Sequence, residues 1–180
     1  EPRLQITFLD VGQGDGALVE FPNGRTMVVD GGIRSTHFDN GERVLVPFLR
    51  QRNIRHVDIV VASHPHSDHV GGLVYLLEQF EVSHYIDSGQ AYDSWTSRRL
   101  RELIRAKNIR YHRVAAGDSL IGLGGVGAIV LHPTPSFVTA AGESPHDLNN
   151  GSVVLRLDEG PYSVLFTGDI EVESDPAMFA

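Results

Sequence analysis

Cysteine is absent from this chain of 180 residues. Its absence excludes a disulfide framework and thiolate ligands, so any bound metal ion must rest on histidine nitrogen or on carboxylate, amide or water oxygen. The sequence also contains no apolar run long enough to span a bilayer and no signal-peptide pattern. It opens at Glu1-Pro2 without a methionine, which indicates a trimmed or processed chain and leaves export open.

Basic residues are in the minority, with 15 Lys and Arg against 23 Asp and Glu and a formal net charge of -8. Affinity for phosphate backbones comes mostly from basic side chains that release counterions, so the composition argues against indiscriminate binding to polyanions. A basic run nevertheless lies between Arg98 and Arg113. It forms either a phosphate-binding track or a solvated helix face paired with neighbours such as Glu102. Tyr92 and Trp95, just before the run, either stack on bases or pack internally.

No proline-rich or glycine-serine linker divides the chain, and 41% apolar residues suffice for one compact core. The sequence therefore predicts a single domain over residues 1–180. Apolar periodicity predicts alternating strands and helices. The predicted strands are 4–10, 17–21, 26–30, 57–62, 82–87, 109–114, two within 119–131, and a last hairpin of 152–157 and 162–167 turning at 158–160. The predicted helices are 42–52, 73–80, which Gly71-Gly72 would open, and 94–107.

The most informative stretch is residues 64–69, which read His-Pro-His-Ser-Asp-His directly after a predicted strand. Three imidazoles and one carboxylate in a short loop are ligands that a divalent ion such as zinc accepts, and their alternating spacing aims them at more than one centre. Two metal ions are therefore predicted. The spacing differs from the helical His-Glu-x-x-His motif, whose histidines lie four apart on one face. The alternative interpretation is a polar, solvated turn.

This stretch resembles the signature of the metallo-β-lactamase superfamily, His-x-His-x-Asp-His after a buried strand. Three further stretches resemble one branch, the hydrolase domain of the ComEC-type competence proteins and its free-standing relatives. They are Leu-Asp-Val-Gly-Gln-Gly-Asp-Gly at 9–16, Val-Val-Asp-Gly-Gly at 28–32 and Leu-Phe-Thr-Gly-Asp at 165–169. The resemblance implies an α/β fold, the four-layer αββα sandwich of two facing sheets with helices outside.

The resemblance also implies the ligand set. His64 and His66 would hold one metal ion, Asp68 and His69 would hold the second, and Asp169 would bridge the two. Asp68 and Asp169 are accordingly the predicted catalytic residues. Taken alone, a Gly-Asp pair after a strand is more often a plain turn, so the role of Asp169 depends on the histidine motif.

Four residues outside the motif are predicted to support the site. Asp30 resembles the family's buried aspartate that accepts a hydrogen bond from a ligating histidine, although a turn aspartate before Gly31-Gly32 is the alternative. Asp10, Gln13 and Asp15 lie in a glycine-punctuated loop that allows close backbone approach, and they are lesser candidates for shaping the pocket.

Two positions depart from the superfamily pattern. Asn149 stands where most members carry a third histidine for the first metal ion, and an amide oxygen shifts the preference from zinc toward manganese. The expected cofactors are therefore two divalent ions, zinc or manganese. His146 is an alternative ligand, although a lone loop histidine is more often merely exposed. The family's last metal histidine follows the bridging aspartate by several dozen residues, and the chain ends at Ala180, so the C-terminal part of the sandwich is expected to be missing.

Two ions that share a water lower its pKa toward neutrality and direct hydroxide at phosphorus or a carbonyl carbon. The resemblance implies a phosphodiesterase or nuclease that acts on a phosphodiester such as DNA and is linked to DNA uptake. A β-lactamase-like or lactonase-like hydrolase of small ring substrates is one alternative, and a non-catalytic metal-binding module of an uptake machine is another. As part of a ComEC-like, membrane-embedded parent the domain would be extracytoplasmic or membrane-associated, and otherwise secreted or cytoplasmic.

Overall fold

A computed structural model of the chain describes residues 2–135, 137–138 and 148–171. Its strands are β1 Gln5–Phe8, β2 Ala17–Glu20, β3 Thr26–Val29, β4 His56–Val61, β5 Glu81–Asp87, β6 Arg110–Arg113, β7 Gly127–His132, β8 Val154–Glu159 and β9 Tyr162–Phe166. Its helices are α1 Val46–Gln51, α2 Ser67–Gln79 and α3 Trp95–Ala106, with a π-helical turn at Gly41–Leu45 and a 3-10 turn at Asn149–Gly151. None of the helices in these ranges has the length and apolar character needed to cross a membrane.

The strands form a six-stranded sheet in the order β1-β2-β3-β4-β5-β6 and a three-stranded sheet in the order β7-β8-β9. Strands β1 to β3 pair antiparallel, as the turn after Phe21 allows, and β3 to β6 pair parallel. Parallel neighbours need a crossover connection, and α1, α2 and α3 supply one between each successive pair. The parallel pairing brings the carboxyl ends of β3, β4 and β5 to one edge of the sheet.

Two apolar cores hold the layers together. Val57 and Val60 of β4 pack against the helices, whereas Ile59 and Val61 of the same strand pack against the three-stranded sheet. Burial on both faces explains why the second half of β4, Ile59 to Val61, is entirely apolar. The α/β sandwich expected from the sequence is therefore confirmed as facing sheets with helices on one side. In the described ranges no helix covers the outer face of the three-stranded sheet.

Helix α2 begins at Ser67, so the prediction that Gly71-Gly72 opens a helix at residue 73 is wrong. The two glycines lie inside the helix because of packing. A Cβ atom at Gly72 would lie 2.1 Å from the carbonyl oxygen of Gly31 and 2.6 Å from the amide nitrogen of Gly41. The helix thus rests directly on the backbone that follows β3, and its first turn carries part of the histidine motif.

Two smaller expectations also fail. Residues 119–131 contain one strand, β7, and a single bridge between Ser119 and Ile129 instead of two strands. The last hairpin turns at residues 160–161, because β8 continues to Glu159, which pairs with Tyr162. The alternative ligand His146 lies outside the described residues, as does most of the loop that precedes Asn149.

The packing of α2 predicts an unusual response to a helix-favouring substitution. Gly72→Ala should lower the free energy of unfolding by about 1–3 kcal/mol, because the added methyl group meets backbone that cannot move aside. At an unconstrained helix position the same change would stabilise by about 0.5–1 kcal/mol. Urea unfolding followed by circular dichroism in the presence of a chelator measures the difference. Gln79→Ala, at an exposed position of the same helix, is the control, and a stabilised Gly72→Ala would contradict the close contact.

Candidate metal centre

The candidate site lies where strands of both sheets end. Asp30 directly follows β3, while His64 and His66 lie between β4 and α2. His69 occupies the first turn of α2 and Asp169 follows β9. Loops and element ends at the edge of a rigid sheet are the usual positions of functional side chains. The fold therefore brings together groups that stand far apart in the sequence.

Asp30 is the best-connected side chain of the site. It is buried, with 1% of its surface exposed, and adopts a positive φ of 55°, which aspartate tolerates better than most residues. Its Oδ1 accepts a hydrogen bond from the amide of Ser63 at 2.8 Å, and its Oδ2 accepts one from the Ser63 hydroxyl at 2.6 Å. The same Oδ2 lies 3.0 Å from Nδ1 of His69. Donation from Nδ1 to the carboxylate fixes the ring, and in the neutral imidazole that a metal ion requires, Nε2 then carries the lone pair.

Nε2 of His69 is buried and makes no hydrogen bond within the described part of the chain. It lies 3.2 Å from Oδ1 of Asp169. His64, His69 and Asp169 each place one nitrogen or oxygen within 4.8 Å of the others. Buried polar atoms without a partner are rare in folded proteins, and two imidazoles with a carboxylate form a set of donors that divalent metal ions accept. The residues present therefore fit a divalent metal ion.

The charges around His69 also favour a cation. Burial alone would lower the pKa of His69, but the hydrogen bond to Asp30 and the surrounding carboxylates raise it to about 9. Burial and repulsion from Asp30 raise the pKa of Asp15, whose Oδ2 lies 4.0 Å from Nδ1 of His69. Burial and the neighbouring His69 lower the pKa of His64 to about 4. Several carboxylates thus converge on one imidazole, and a divalent cation would relieve their repulsion.

His66 and Asp68 lie at the edge of this cluster. Nδ1 of His66 is 3.1 Å from Nε2 of His64. Oδ2 of Asp68 accepts a hydrogen bond from Nε2 of Gln13 at 3.3 Å, so the N-terminal loop touches the first turn of α2. Within the described residues, neither His66 nor Asp68 belongs to a group of three ligand atoms lying within 4.8 Å of one another.

The N-terminal loop lies against the site because of one glycine. Gly14 has a φ of +92°, and a Cβ atom there would lie 1.9 Å from the carbonyl oxygen of Asp68. Only glycine allows this approach. Asp15 projects from the same loop toward His69, whereas Asp10 accepts a bond from the amide of Gly12 at 3.4 Å and acts within the loop itself.

Asn149 lies in the 3-10 turn before β8, where its Nδ2 donates to Oε1 of Glu171 at 3.2 Å. The neighbouring Asn150 accepts a hydrogen bond from the amide of Glu171 at 2.9 Å through its own side-chain oxygen. These contacts join the start of β8 to the segment after β9, and hence to Asp169.

Sequence reasoning missed two residues that hold the site together. Ser63 contacts Asp30, His64 and His69 through its hydroxyl, and its carbonyl accepts a bond from the amide of Val153 at 2.8 Å. Gly168 has a φ of +52°, and a Cβ atom there would lie 2.8 Å from Cβ of Ser63. In the sequence, Ser63 is marked only as a small polar residue just before the histidine motif, and Gly168 only as a glycine just before Asp169.

Two known proteins are similar in sequence to nearly the whole of this chain. ComE operon protein 3 of Bacillus subtilis is 27% identical over 183 residues, which cover 95% of this chain and 23% of that protein. Recombination protein 2 of Haemophilus influenzae is 28% identical over 176 residues, covering 97% of this chain and 19% of that protein. These two relatives confirm the resemblance to the ComEC-type branch, and this chain spans about a fifth of their length.

The fold has counterparts among solved structures. CmlA, a diiron beta-hydroxylase from Streptomyces venezuelae, superimposes with a TM-score of 0.54 at 16% identity, covering 93% of this chain and 30% of that one. At this identity the likeness concerns the fold alone. The model of the metallo-beta-lactamase superfamily matches residues 9–179, nearly the whole sequence. The chain therefore belongs to the metallo-beta-lactamase superfamily of metal-dependent hydrolases.

Proposed function

We propose that this domain is a metal-dependent phosphodiesterase that cleaves nucleic acid or a related phosphodiester. The observation that carries the proposal is the arrangement of His69, whose Nδ1 faces Asp30 at 3.0 Å while its buried Nε2 faces Asp169 at 3.2 Å. Histidines that bind metal ions typically donate a hydrogen bond from one ring nitrogen to a carboxylate, while the other ring nitrogen faces the remaining metal ligands.

We take the ligand assignment from the family resemblance, and one separation between donor atoms supports part of it. Two nitrogens bound to one tetrahedral zinc ion at about 2.0–2.1 Å lie about 3.3 Å apart. Nε2 of His64 and Nδ1 of His66 are 3.1 Å apart, which supports their sharing one ion. Asp68 and His69 would hold the second ion, and Asp169 would lie between the two. Asn149 would complete the first set with an amide oxygen, which favours manganese over zinc.

When bound, the metal ions acidify a water molecule and neutralise charge on phosphoryl oxygens. The protein contributes the orientation of the ligands. Asp30 holds the ring of His69, and Ser63 holds Asp30 in turn. Asp68 and Asp169 are the carboxylates that would bind the metal ions in this assignment, so we propose them as the catalytic residues of the site. No serine or cysteine nucleophile is required.

A phosphodiester is favoured as substrate over a lactam or lactone for two reasons. The related proteins carry names that refer to a competence operon and to recombination, both of which concern DNA. Arg101 and Arg105, which pair with no residue in the described ranges, also line a cavity whose wall includes His64. An anionic substrate would use them and a neutral ring would not. We extend the proposal to a role in DNA uptake on the strength of the relatives alone.

If His66 and Asp68 bind the metal ions, replacing either residue should abolish metal-dependent hydrolysis. His66→Ala or Asp68→Ala should reduce hydrolysis of bis-p-nitrophenyl phosphate, measured with added manganese or zinc, to the rate of the chelator-treated protein. His56→Ala is the control, since His56 begins β4 at the end opposite to the site. Full turnover in either motif variant would reject the assignment.

The role of Asp30 predicts a loss of metal affinity without a change of ligands. Asp30→Asn tolerates the same positive φ but removes the charge that orients His69, so the metal affinity should fall about 10–100-fold. Titration against a chromophoric chelator gives the affinity directly. Asp158→Asn, on the exposed hairpin of β8 and β9, is the matched control, and unchanged affinity of Asp30→Asn would contradict the role.

A substrate panel separates the phosphodiesterase from the alternatives. The metal-loaded protein is assayed with bis-p-nitrophenyl phosphate, a nitrocefin-type lactam and a simple lactone under one buffer condition. We expect turnover of the phosphodiester to exceed that of both rings. Faster turnover of a ring substrate would favour the β-lactamase-like or lactonase-like alternative, and metal binding without hydrolysis of any ester would favour the non-catalytic module.

A further inference from the structure

A cavity of about 610 Å³ opens beside the candidate metal centre. Its wall includes His64 and Pro65, and it is completed by Ala62, Val70 and residues of β5, β6, α3 and the segment 88–93. This volume lies within the range of pockets that bind small molecules or parts of larger ones. A substrate held at the metal centre therefore has room for a neighbouring group in this cavity.

The wall of the cavity carries both aromatic and polar groups. Tyr92 is 39% exposed, and its ring centroid lies 5.9 Å from that of His66 in an edge-to-face arrangement. Farther in, Oδ1 of Asp87 accepts hydrogen bonds from the Tyr111 hydroxyl and the Gly89 amide, both at 2.7 Å. No residue in the described ranges bonds to Oδ2 of Asp87, which thus offers an acceptor to an amino group in the cavity.

Two arginines on α3 line the same cavity. Arg101 and Arg105 are one helical turn apart, both are exposed, and neither forms a hydrogen bond or an ion pair with any described residue. Two other arginines of the helix are paired: Arg98 with Asp93, and Arg99 with Glu78 and Glu102. At spacings of three and four residues, Arg98, Arg101 and Arg105 share one side of the helix. Arg98 is paired there with Asp93, so Arg101 and Arg105 are the two arginines of this row that are available to an anion in the cavity.

We propose that this cavity binds one nucleoside of single-stranded nucleic acid, next to the scissile phosphate. The proposal rests on the phosphodiesterase function proposed above and names its substrate. The base stacks on Tyr92, its amino group reaches Asp87, and the flanking phosphates bind Arg101 and Arg105 as guanidinium–phosphate pairs. A base in a duplex is stacked and paired and does not enter such a cavity without being extruded. The available arginines also explain how a chain of net charge -8 binds a polyanion locally.

The role of Arg101 and Arg105 is tested by measuring the binding of an oligonucleotide under conditions in which it is not cleaved. A fluorescent single-stranded oligonucleotide is titrated with the protein in a chelator, and its anisotropy is recorded over a range of salt concentrations. Arg101→Gln and Arg105→Gln should each weaken binding about tenfold and reduce the salt slope by about 0.7, the value for one phosphate contact on a single strand. Arg99→Gln, the same charge change at an arginine of α3 that is paired with Glu78 and Glu102, should leave the slope unchanged. Equal effects of all three variants would overturn the proposal.

The role of Tyr92 is tested by comparing a normal strand with a strand that lacks bases. Tyr92→Leu should weaken binding of the normal strand about tenfold through lost stacking but leave an abasic strand of equal length unaffected, while Tyr92→Phe should retain the affinity. A parallel weakening on both strands would contradict a base in the cavity. Deoxyribose and ribose strands are compared in the same assay, because either sugar fits the chemistry described.

The proposal and the proposed function fail in different ways. If the protein hydrolyses bis-p-nitrophenyl phosphate but binds no single strand in a way that depends on Arg101, Arg105 and Tyr92, the cavity assignment is wrong and the phosphodiesterase stands. If the variants alter binding as expected but no phosphodiester is cleaved at any metal concentration, the cavity assignment stands and the phosphodiesterase is wrong.

Discussion

The contact between Asp30 and His69 is the interaction on which the rest of the site depends. It joins the end of β3 to the first turn of α2, and through Ser63 it includes the end of β4 as well. Each partner is almost wholly buried, so neither side chain can form a hydrogen bond with water instead. A buried carboxylate that lacked its donors would cost several kcal/mol, which is why these element ends are held in one arrangement.

The backbone around this contact has little freedom to adjust. Gly72 of α2 touches the backbone of Gly31 and Gly41, and Gly14 touches that of Asp68. Close backbone packing leaves the helix little room to shift against the strand ends, because interiors are packed as densely as organic crystals. Precise placement of side chains that bind a metal ion requires such rigid support. The glycines near the site therefore serve its geometry through packing more than through flexibility.

Much of this arrangement could be predicted from the sequence, and the failures have physical reasons. The apolar residues Ile59 to Ala62 and the dense motif after them marked the sheet edge, since few other structures tolerate either pattern. The start of α2 was mispredicted because glycine breaks helices in isolation, whereas Gly71 and Gly72 are retained by long-range packing. The contact of Ser63 with Asp30 and the cavity beside α3 depend on which elements become neighbours, and local patterns do not contain that information.

The hydrogen bond from the amide of Val153 to the carbonyl of Ser63 has a consequence for folding. It ties the start of the second sheet to the residue just before the histidine motif, and Asp169 follows His69 by 100 residues in the chain. Contacts between such distant segments form late, because closing a long loop costs entropy before it yields any contact energy. We expect the six-stranded sheet to collapse first with an incomplete ligand set. Binding of a cation would then indicate that the three-stranded sheet has docked on the six-stranded sheet.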